Sequence, residues 1–202
     1  MKIICMGRNY GAHAKELGNE VPDKPVIFCK PDTALLKNNE PFYLPDFSKD
    51  IHHEIEVVVK IDKMGKSIAP QYASKYYSEF TLGVDFTARD LQNELKSKGL
   101  PWELAKAFDN SAVVGHFVSK EAFDLGNLEF TLTKNNQVVQ HGNTKDMLFG
   151  IDAIISFVSQ YFTLKTGDLI FTGTPSGVGA VAIGDYLKGT IGDKEFFNFE
   201  VK

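Results

Sequence analysis

Ile51-His52-His53-Glu54-Ile55-Glu56-Val57-Val58-Val59-Lys60 is the stretch on which the fold turns. Its second half is a run of β-branched residues, which pack well on a pleated surface and predict a strand. Side chains alternate between the two faces of a strand. Ile51, His53, Ile55, Val57, Val59 and Ile61 therefore share one face, and that face is core material. The other face carries His52, Glu54 and Glu56, followed by Val58. Two carboxylates one pleat apart repel, and each disfavours the ionised form of the other unless a cation lies between them. The pattern fits a metal site. It also fits a solvated edge strand with two surface glutamates.

The 202 residues are enough for one large domain with a substantial core, and the chain is read as a single unit over 1–202. A formal charge of -4 argues against a nucleic-acid partner. The Ile3-Ile4-Cys5-Met6 run is too short for a signal-peptide core, and no apolar run is long enough to span a bilayer. The expectation is a cytoplasmic protein with no membrane partner. Cys5 and Cys29 lie in apolar runs without a Cys-x-x-Cys pattern, which reads as buried free thiols of a reducing compartment, with a disulfide as the alternative. Sixteen phenylalanines are assigned to the core and a subunit interface.

Ahead of the glutamate stretch, Lys2 to Met6 and Pro25 to Cys29 read as strands, and Ala12 to Leu17 as a short helix stopped by Gly18-Asn19. His13 and Glu16 are neighbours on one face of that helix. A carboxylate beside an imidazole fixes its tautomer and raises its basicity, as in a general base that activates water. A surface ion pair has the same spacing.

Behind the stretch, a helix is predicted from near Pro70, and Phe80 to Phe86 reads as a strand closed by Asp85. Thr87-Ala88-Arg89-Asp90 has the spacing of a capping box for a helix running to Lys98, with Gly99 as its stop. Asp85 is thus either a site residue or a contributor to that cap. Lys106 stands alone in the apolar run 101–108, either snorkelling to water or held for a purpose. Hairpins are predicted around Asn135-Asn136 and Gly192-Asp193, and a helix over 152–162 with Ile154, Ile155, Val158 and Phe162 as its apolar stripe. Leu169-Ile170-Phe171 runs into Thr172-Gly173-Thr174-Pro175-Ser176-Gly177-Val178-Gly179, which matches neither the P-loop nor the dinucleotide fingerprint. Many short strands, several hairpins and few helices add up to an α+β, β-dominated fold.

Taken in order, Gly7-Arg8-Asn9-Tyr10, His52 to Glu56, Asp85 to Asp90, Gly99 to Trp102, Ala105-Lys106 and Thr172 to Gly179 resemble the fumarylacetoacetate hydrolase family, in particular its compact acylpyruvase and oxaloacetate decarboxylase group. The resemblance implies a mixed β-sandwich roll with flanking helices, a homodimer, and Mg²⁺ or Mn²⁺ held by Glu54, Glu56 and Asp85. It further implies that Lys106 faces the substrate, that His13 and Glu16 activate water from a mobile lid, and that Arg89, Gln92 and Thr174 contact substrate. Arg8, Lys30, His52 and His53 take supporting roles. The activity it implies is metal-dependent C–C bond cleavage in small 2-oxo acids, by acylpyruvate hydrolysis or oxaloacetate decarboxylation. A hydroxymuconate-type isomerase or decarboxylase is the alternative within the family, and a non-catalytic Ca²⁺-binding β-domain the alternative outside it.

Overall fold

The Ile51–Ile61 stretch is neither continuous nor at an edge. The computed structural model describes residues 1–16, 18 and 20–202. Its elements begin with β1 (Ile3–Gly7), helix α1 (Gly11–Glu16), β2 (Val26–Lys30) and β3 (Leu35–Leu36). The glutamate stretch forms β4 (Ile51–His53) and β5 (Ile55–Ile61), which meet at Glu54. Helix α2 (Pro70–Ala73), β6 (Tyr77–Asp85), β7 (Thr87–Ala88) and helices α3 (Arg89–Ser97) and α4 (Glu103–Lys106) follow. Next come β8 (Ala112–Val114), β9 (Val118–Ser119) and the hairpin of β10 (Glu129–Lys134) and β11 (Gln137–Asn143). Helix α5 (Ile151–Tyr161), β12 (Leu169–Phe171), β13 (Gly179–Ala180) and the hairpin of β14 (Tyr186–Ile191) and β15 (Lys194–Glu200) complete the chain.

The main sheet runs β2-β1-β12-β5-β6-β8-β3, with β9 paired to β6 outside that path. The two hairpins join as a sheet in the order β11-β10-β14-β15, and β13-β4-β7 form a third, small sheet. The β1–β12 and β3–β8 pairs are parallel and β5–β6 is antiparallel, so the main sheet is mixed. This is the predicted α+β, β-dominated fold.

Because β12 and β6 flank β5, no solvated edge exists there, and both faces of the strand are covered. Ile55, Val57, Val59 and Ile61 enter the larger core with Phe80, Phe130, Ile154 and Phe197. Val58 enters a smaller cluster on the opposite face with Ile3, Cys5 and Phe171. Each fully buried side chain of this size contributes about 1.5–3 kcal/mol. The alternation fixes the register, since a one-residue slip would drive Glu56 into the larger core.

Local signals account for much of the remainder. Asn135 and Asn136 have φ of 53° and 65°, the consecutive left-handed pair that a tight hairpin turn requires. Ile154, Ile155 and Val158 are buried along α5. Cys5 is buried and Cys29 half-buried, and both are free. No helix among the described residues is long and apolar enough to cross a membrane.

Two local expectations give way to tertiary partners. The helix begun at Pro70 has four residues before a 3-10 turn over Ser74–Tyr76 takes over. The Thr87–Asp90 spacing does not make a capping box: Ala88 occupies the cap, without a side-chain hydrogen bond. The Thr87 hydroxyl instead accepts from Lys106, and the Asp90 carboxylate accepts from Ser48 Oγ and Lys49 N. Leu17 and Asn19, the predicted end and stop of the first helix, lie outside the described residues.

Candidate active site

Glu54 occupies the break where the chain leaves the small sheet for the large one. A break inside a buried strand exposes backbone groups that must find other partners. Here Asp85 N donates to Glu54 O at 2.8 Å, and Ile55 N donates to Gln140 Oε1 at 3.0 Å. The same crossing draws Glu54, Glu56 and Asp85 together, one oxygen of each within 4.8 Å of the others, and all three residues are buried. Gly83 lies opposite Glu56 on β6. A Cβ there would come within 2.5 Å of Val113 O and 2.8 Å of Val58 Cγ2, so only glycine lets the strands close beside the carboxylates.

Three buried cations pair with two of the three acids, Glu54 and Asp85. Lys106 Nζ lies 2.8 Å from Glu54 Oε2 and 2.7 Å from Asp85 Oδ2, and it donates to Thr87 Oγ1 at 2.5 Å. Arg89 Nη2 reaches Glu54 Oε1 at 2.5 Å, and Nη1 donates to Gln92 Oε1 at 2.6 Å. Lys30 Nζ pairs with Asp85 Oδ1 at 2.7 Å and donates to Ser111 O and Oγ, both at 3.0 Å. Glu56 Oε2 accepts from Gly173 N at 2.6 Å. Gly173 holds φ of 99°, and a Cβ on it would stand 2.7 Å from that of Asn9, so this N–H can be delivered only by glycine.

The acids are pulled apart in acidity. Burial alone would raise Glu54, but the Lys106 and Arg89 cations outweigh it and hold that carboxyl well below the usual range. Burial, followed by the charge of Asp85, pushes Glu56 well above the ordinary carboxyl value. For Lys106, burial works against the ammonium, but Asp85 and Glu54 overcome it and keep the group more basic than an ordinary lysine. A cation among the three oxygens would reverse the shift on Glu56. The donor set is all carboxylate and suits a hard divalent ion such as Mg²⁺ or Mn²⁺.

A cavity of about 30 Å³ opens beside Glu54, and its walls include His13, Arg89, Gln92, Lys106 and Thr174. Helix α1 is packed down on it, with His13 and Ala14 buried. His13 Nδ1 is 3.3 Å from Glu16 Oε2, and the Glu16 carboxylate also accepts from Gly177 N at 3.0 Å. Asn9 ties the N-terminal turn to the late loop by donating to Thr172 O at 2.7 Å. Of the nine residues singled out from sequence, Glu54, Glu56, Asp85, Lys106, Arg89 and Gln92 form one contiguous cluster. His13 and Thr174 face it across the cavity, and Glu16 reaches it through His13.

Gln140 escaped the sequence reading. Its Oε1 accepts from His53 Nδ1 and Ile55 N, while its Nε2 donates to Thr174 Oγ1 and Pro175 O, all between 2.9 and 3.0 Å. One amide thus clamps the Glu54 break to the late loop. The available signal was a polar side chain on the inward-facing register of β11, between the exposed Val138 and the buried Gly142. Gln140→Leu leaves these partners buried and unpaired, and should cost about 2–4 kcal/mol. The expected drop in Tm is roughly 5–15 °C by calorimetry.

The molecule also carries a wider groove of about 890 Å³, lined chiefly by apolar residues such as Phe47, Leu91, Leu104 and Phe108, which meets the carboxylate centre at Lys30. Chemistry belongs with the small polar cavity, because the titratable groups converge there.

Residues 2–199 match the model of the fumarylacetoacetate (FAA) hydrolase C-terminal family. The chain is 44% identical over 189 residues to the mitochondrial oxaloacetate decarboxylase of Dictyostelium discoideum, covering 93% of this chain and 87% of that protein. It is 43% identical over 201 residues to the mitochondrial oxaloacetate tautomerase FAHD1 of Mus musculus, covering 99% and 91%. The crystal structure of fumarylpyruvate hydrolase from Pseudomonas aeruginosa, in complex with Mn²⁺ and pyruvate, matches with a TM-score of 0.93 at 33% identity, over 100% of this chain and 89% of that one. The match to these enzymes runs nearly end to end along the chain. The chain belongs to the fumarylacetoacetate hydrolase family.

Proposed function

We propose that this protein is a divalent-metal-dependent enzyme that cleaves a C–C bond in 2-oxo acids, by acylpyruvate hydrolysis and oxaloacetate decarboxylation. The observation that carries the reading is the Lys106 ammonium held between Glu54 and Asp85 on the wall of a cavity that also presents the His13–Glu16 pair. Glu54, Glu56 and Asp85 would hold Mg²⁺ or Mn²⁺. When bound, that ion supplies Lewis-acid stabilisation for the electron pair that C–C cleavage releases into a 2-oxo acid.

Lys106 places a fixed positive charge where negative charge develops on the enolate oxygen of the product. Arg89, positioned by Gln92, and Thr174, positioned by Gln140, orient the substrate. With Nδ1 engaged by Glu16, His13 has Nε2 left to take a proton from water. That water adds to the distal carbonyl of an acylpyruvate, the C–C bond breaks, and pyruvate and a carboxylic acid leave. With oxaloacetate, carbon dioxide departs, no water is consumed, and the enolate is protonated to pyruvate. A second reading, keto–enol isomerisation of the same kind of diacid, draws support from the name of the mouse relative and needs only the proton-transfer half of this machinery.

Acylpyruvates, oxaloacetate and diacid enols assayed with chelator, then with Mg²⁺ or Mn²⁺ restored, test the proposal. Turnover should vanish with chelator and return with metal; chelator-resistant turnover would sink it. His13→Ala should reduce hydrolysis about 10²–10⁴-fold, the scale of a lost general base, and decarboxylation far less. Equal losses would remove the water-activating role. We also propose that residues 1–202 form one catalytic domain that pairs as a homodimer in a reducing, cytoplasm-like compartment. Light scattering should give twice the chain mass.

A further inference from the structure

Gln92 and Thr174, both on the cavity wall, carry side chains that can give or take a hydrogen bond. Their buried partners leave neither with that choice.

Gln140 decides for Thr174. Backbone groups fix which way its amide lies, because Ile55 N can only donate and Pro175 O can only accept. Oε1 therefore faces Ile55 N, Nε2 faces Pro175 O, and each contact is 3.0 Å long. The second Nε2 hydrogen goes to Thr174 Oγ1 at 2.9 Å. With Oγ1 taken as an acceptor, the Thr174 hydroxyl must spend its own proton elsewhere. No acceptor among the described residues is paired with it, and Thr174 lines the cavity. The proton is left for whatever occupies that space.

The same logic runs back to His53. Its Nδ1 lies 2.9 Å from Gln140 Oε1, which has only lone pairs to offer, so Nδ1 must carry hydrogen. His53, Gln140 and Thr174 are all buried, so water cannot satisfy a member of the chain that is turned the wrong way. Arg89 settles Gln92 in the same sense. A guanidinium has no acceptor, so the Gln92 atom 2.6 Å from Arg89 Nη1 is Oε1, and Nε2 remains to donate.

We propose that Gln140 is a positioning residue that sets the hydrogen-bond polarity of the cavity, turning the Thr174 proton toward the substrate. Thr174 then joins Gln92 as a donor to an anionic oxygen. The inference rests on the 2-oxo acid reading above and deepens it. The wall recognises a carboxylate or enolate oxygen by donation, and an O–H or N–H group placed there meets a second donor.

The test compares kcat/KM for oxaloacetate, with saturating Mn²⁺ at mildly alkaline pH, in the wild type, Thr174→Val, Gln140→Glu and the double variant. A carboxylate at position 140 still accepts from His53 and Ile55 N. It has no hydrogen for Thr174, and so draws the Thr174 proton away from the cavity. Each single variant should lose about tenfold, the scale of one charge-assisted contact, through KM more than kcat. The double variant should lose no more than either single one, since both changes remove the same proton. Losses that multiply to about a hundredfold would reduce Gln140 to a scaffold and overturn the proposal. Wild-type kcat/KM in Gln140→Glu would overturn it too. If the wild type does not turn over oxaloacetate, the catalytic reading has failed separately. Calorimetric titration of the four Mn²⁺-loaded proteins with pyruvate is then read in the same way. If Gln140→Glu fails to fold, ¹⁵N NMR of the histidines in the Mg²⁺-loaded wild type decides. Hydrogen on His53 Nδ1 upholds the orientation of the amide, and hydrogen on Nε2 alone refutes it.

Discussion

Glu54→Gln is expected to bind Mn²⁺ at least about tenfold more weakly and to lose turnover by at least about a thousandfold. The volume is unchanged, so the effect is electrostatic. Glutamine offers one neutral oxygen where Glu54 now receives Lys106 on one oxygen and Arg89 on the other. Two buried cations are left short of charge, and removing one side of a buried pair costs about 3–5 kcal/mol. The metal-free variant should therefore melt well below the metal-free wild type in a calorimetric scan. Mn²⁺ binding followed by electron paramagnetic resonance supplies the second readout. Unaltered Mn²⁺ affinity together with normal turnover would remove Glu54 from the metal shell.

Lys106→Met should separate binding from chemistry. The ammonium is the shared partner of Glu54, Asp85 and Thr87, yet it is not a metal donor. Turnover should fall by at least about a thousandfold, as expected when a preorganised charge is withdrawn from the reacting centre. Mn²⁺ should bind at least as tightly as in the wild type, because two carboxylates lose a competing cation. Weakened Mn²⁺ binding with a proportionate loss of activity would instead make Lys106 a scaffold for the ligands.

The pH dependence of stability has a definite sign. Glu54 is more acidic in the folded protein than in the unfolded chain, so its contribution is present above the unfolded carboxyl value and is lost as pH falls through the folded one. Lys106 is shifted upward, so its contribution is complete below the unfolded lysine value and is lost only as alkaline pH passes the folded one. The stability gap between wild type and Lys106→Met should accordingly hold through neutral pH and close in strong acid, where Glu54 takes up its proton. Melting curves of both proteins across that range check it.

What was legible in the sequence was what one segment can encode by itself. β-branched alternation identified both faces of β5, the Asn135-Asn136 pair identified a hairpin, and Gly99 ended α3 with φ of 64°. The break at Glu54 was not legible, because it depends on Asp85 and Gln140 arriving from 31 and 86 residues away to satisfy the backbone there. The capping box at Thr87 failed for the same reason: a buried lysine competes better for the hydroxyl than the adjacent helix does. Lys30 was assigned a supporting role by resemblance, but its grip on Asp85 joins the ends of β2 and β6, which lie 55 residues apart on strands that are not neighbours in the sheet, and no short window reveals that. The site residues were recognisable as an ordered set of motifs, and their mutual distances required the sheet.

The matched burial of three acids with three bases reaches past the fold. Because Lys30, Arg89 and Lys106 already pair with Glu54 and Asp85, and the Gly173 N–H is given to Glu56, the centre can assemble without metal. A divalent ion then leaves a surplus of two positive charges in a medium that screens them poorly. A dianion removes the surplus. In the proposed enzyme, metal and substrate are therefore mutual effectors: whatever factor the ion adds to the affinity for the acid, the acid returns to the ion. A catalyst built this way retains its metal while it has work to do and releases it most readily when idle.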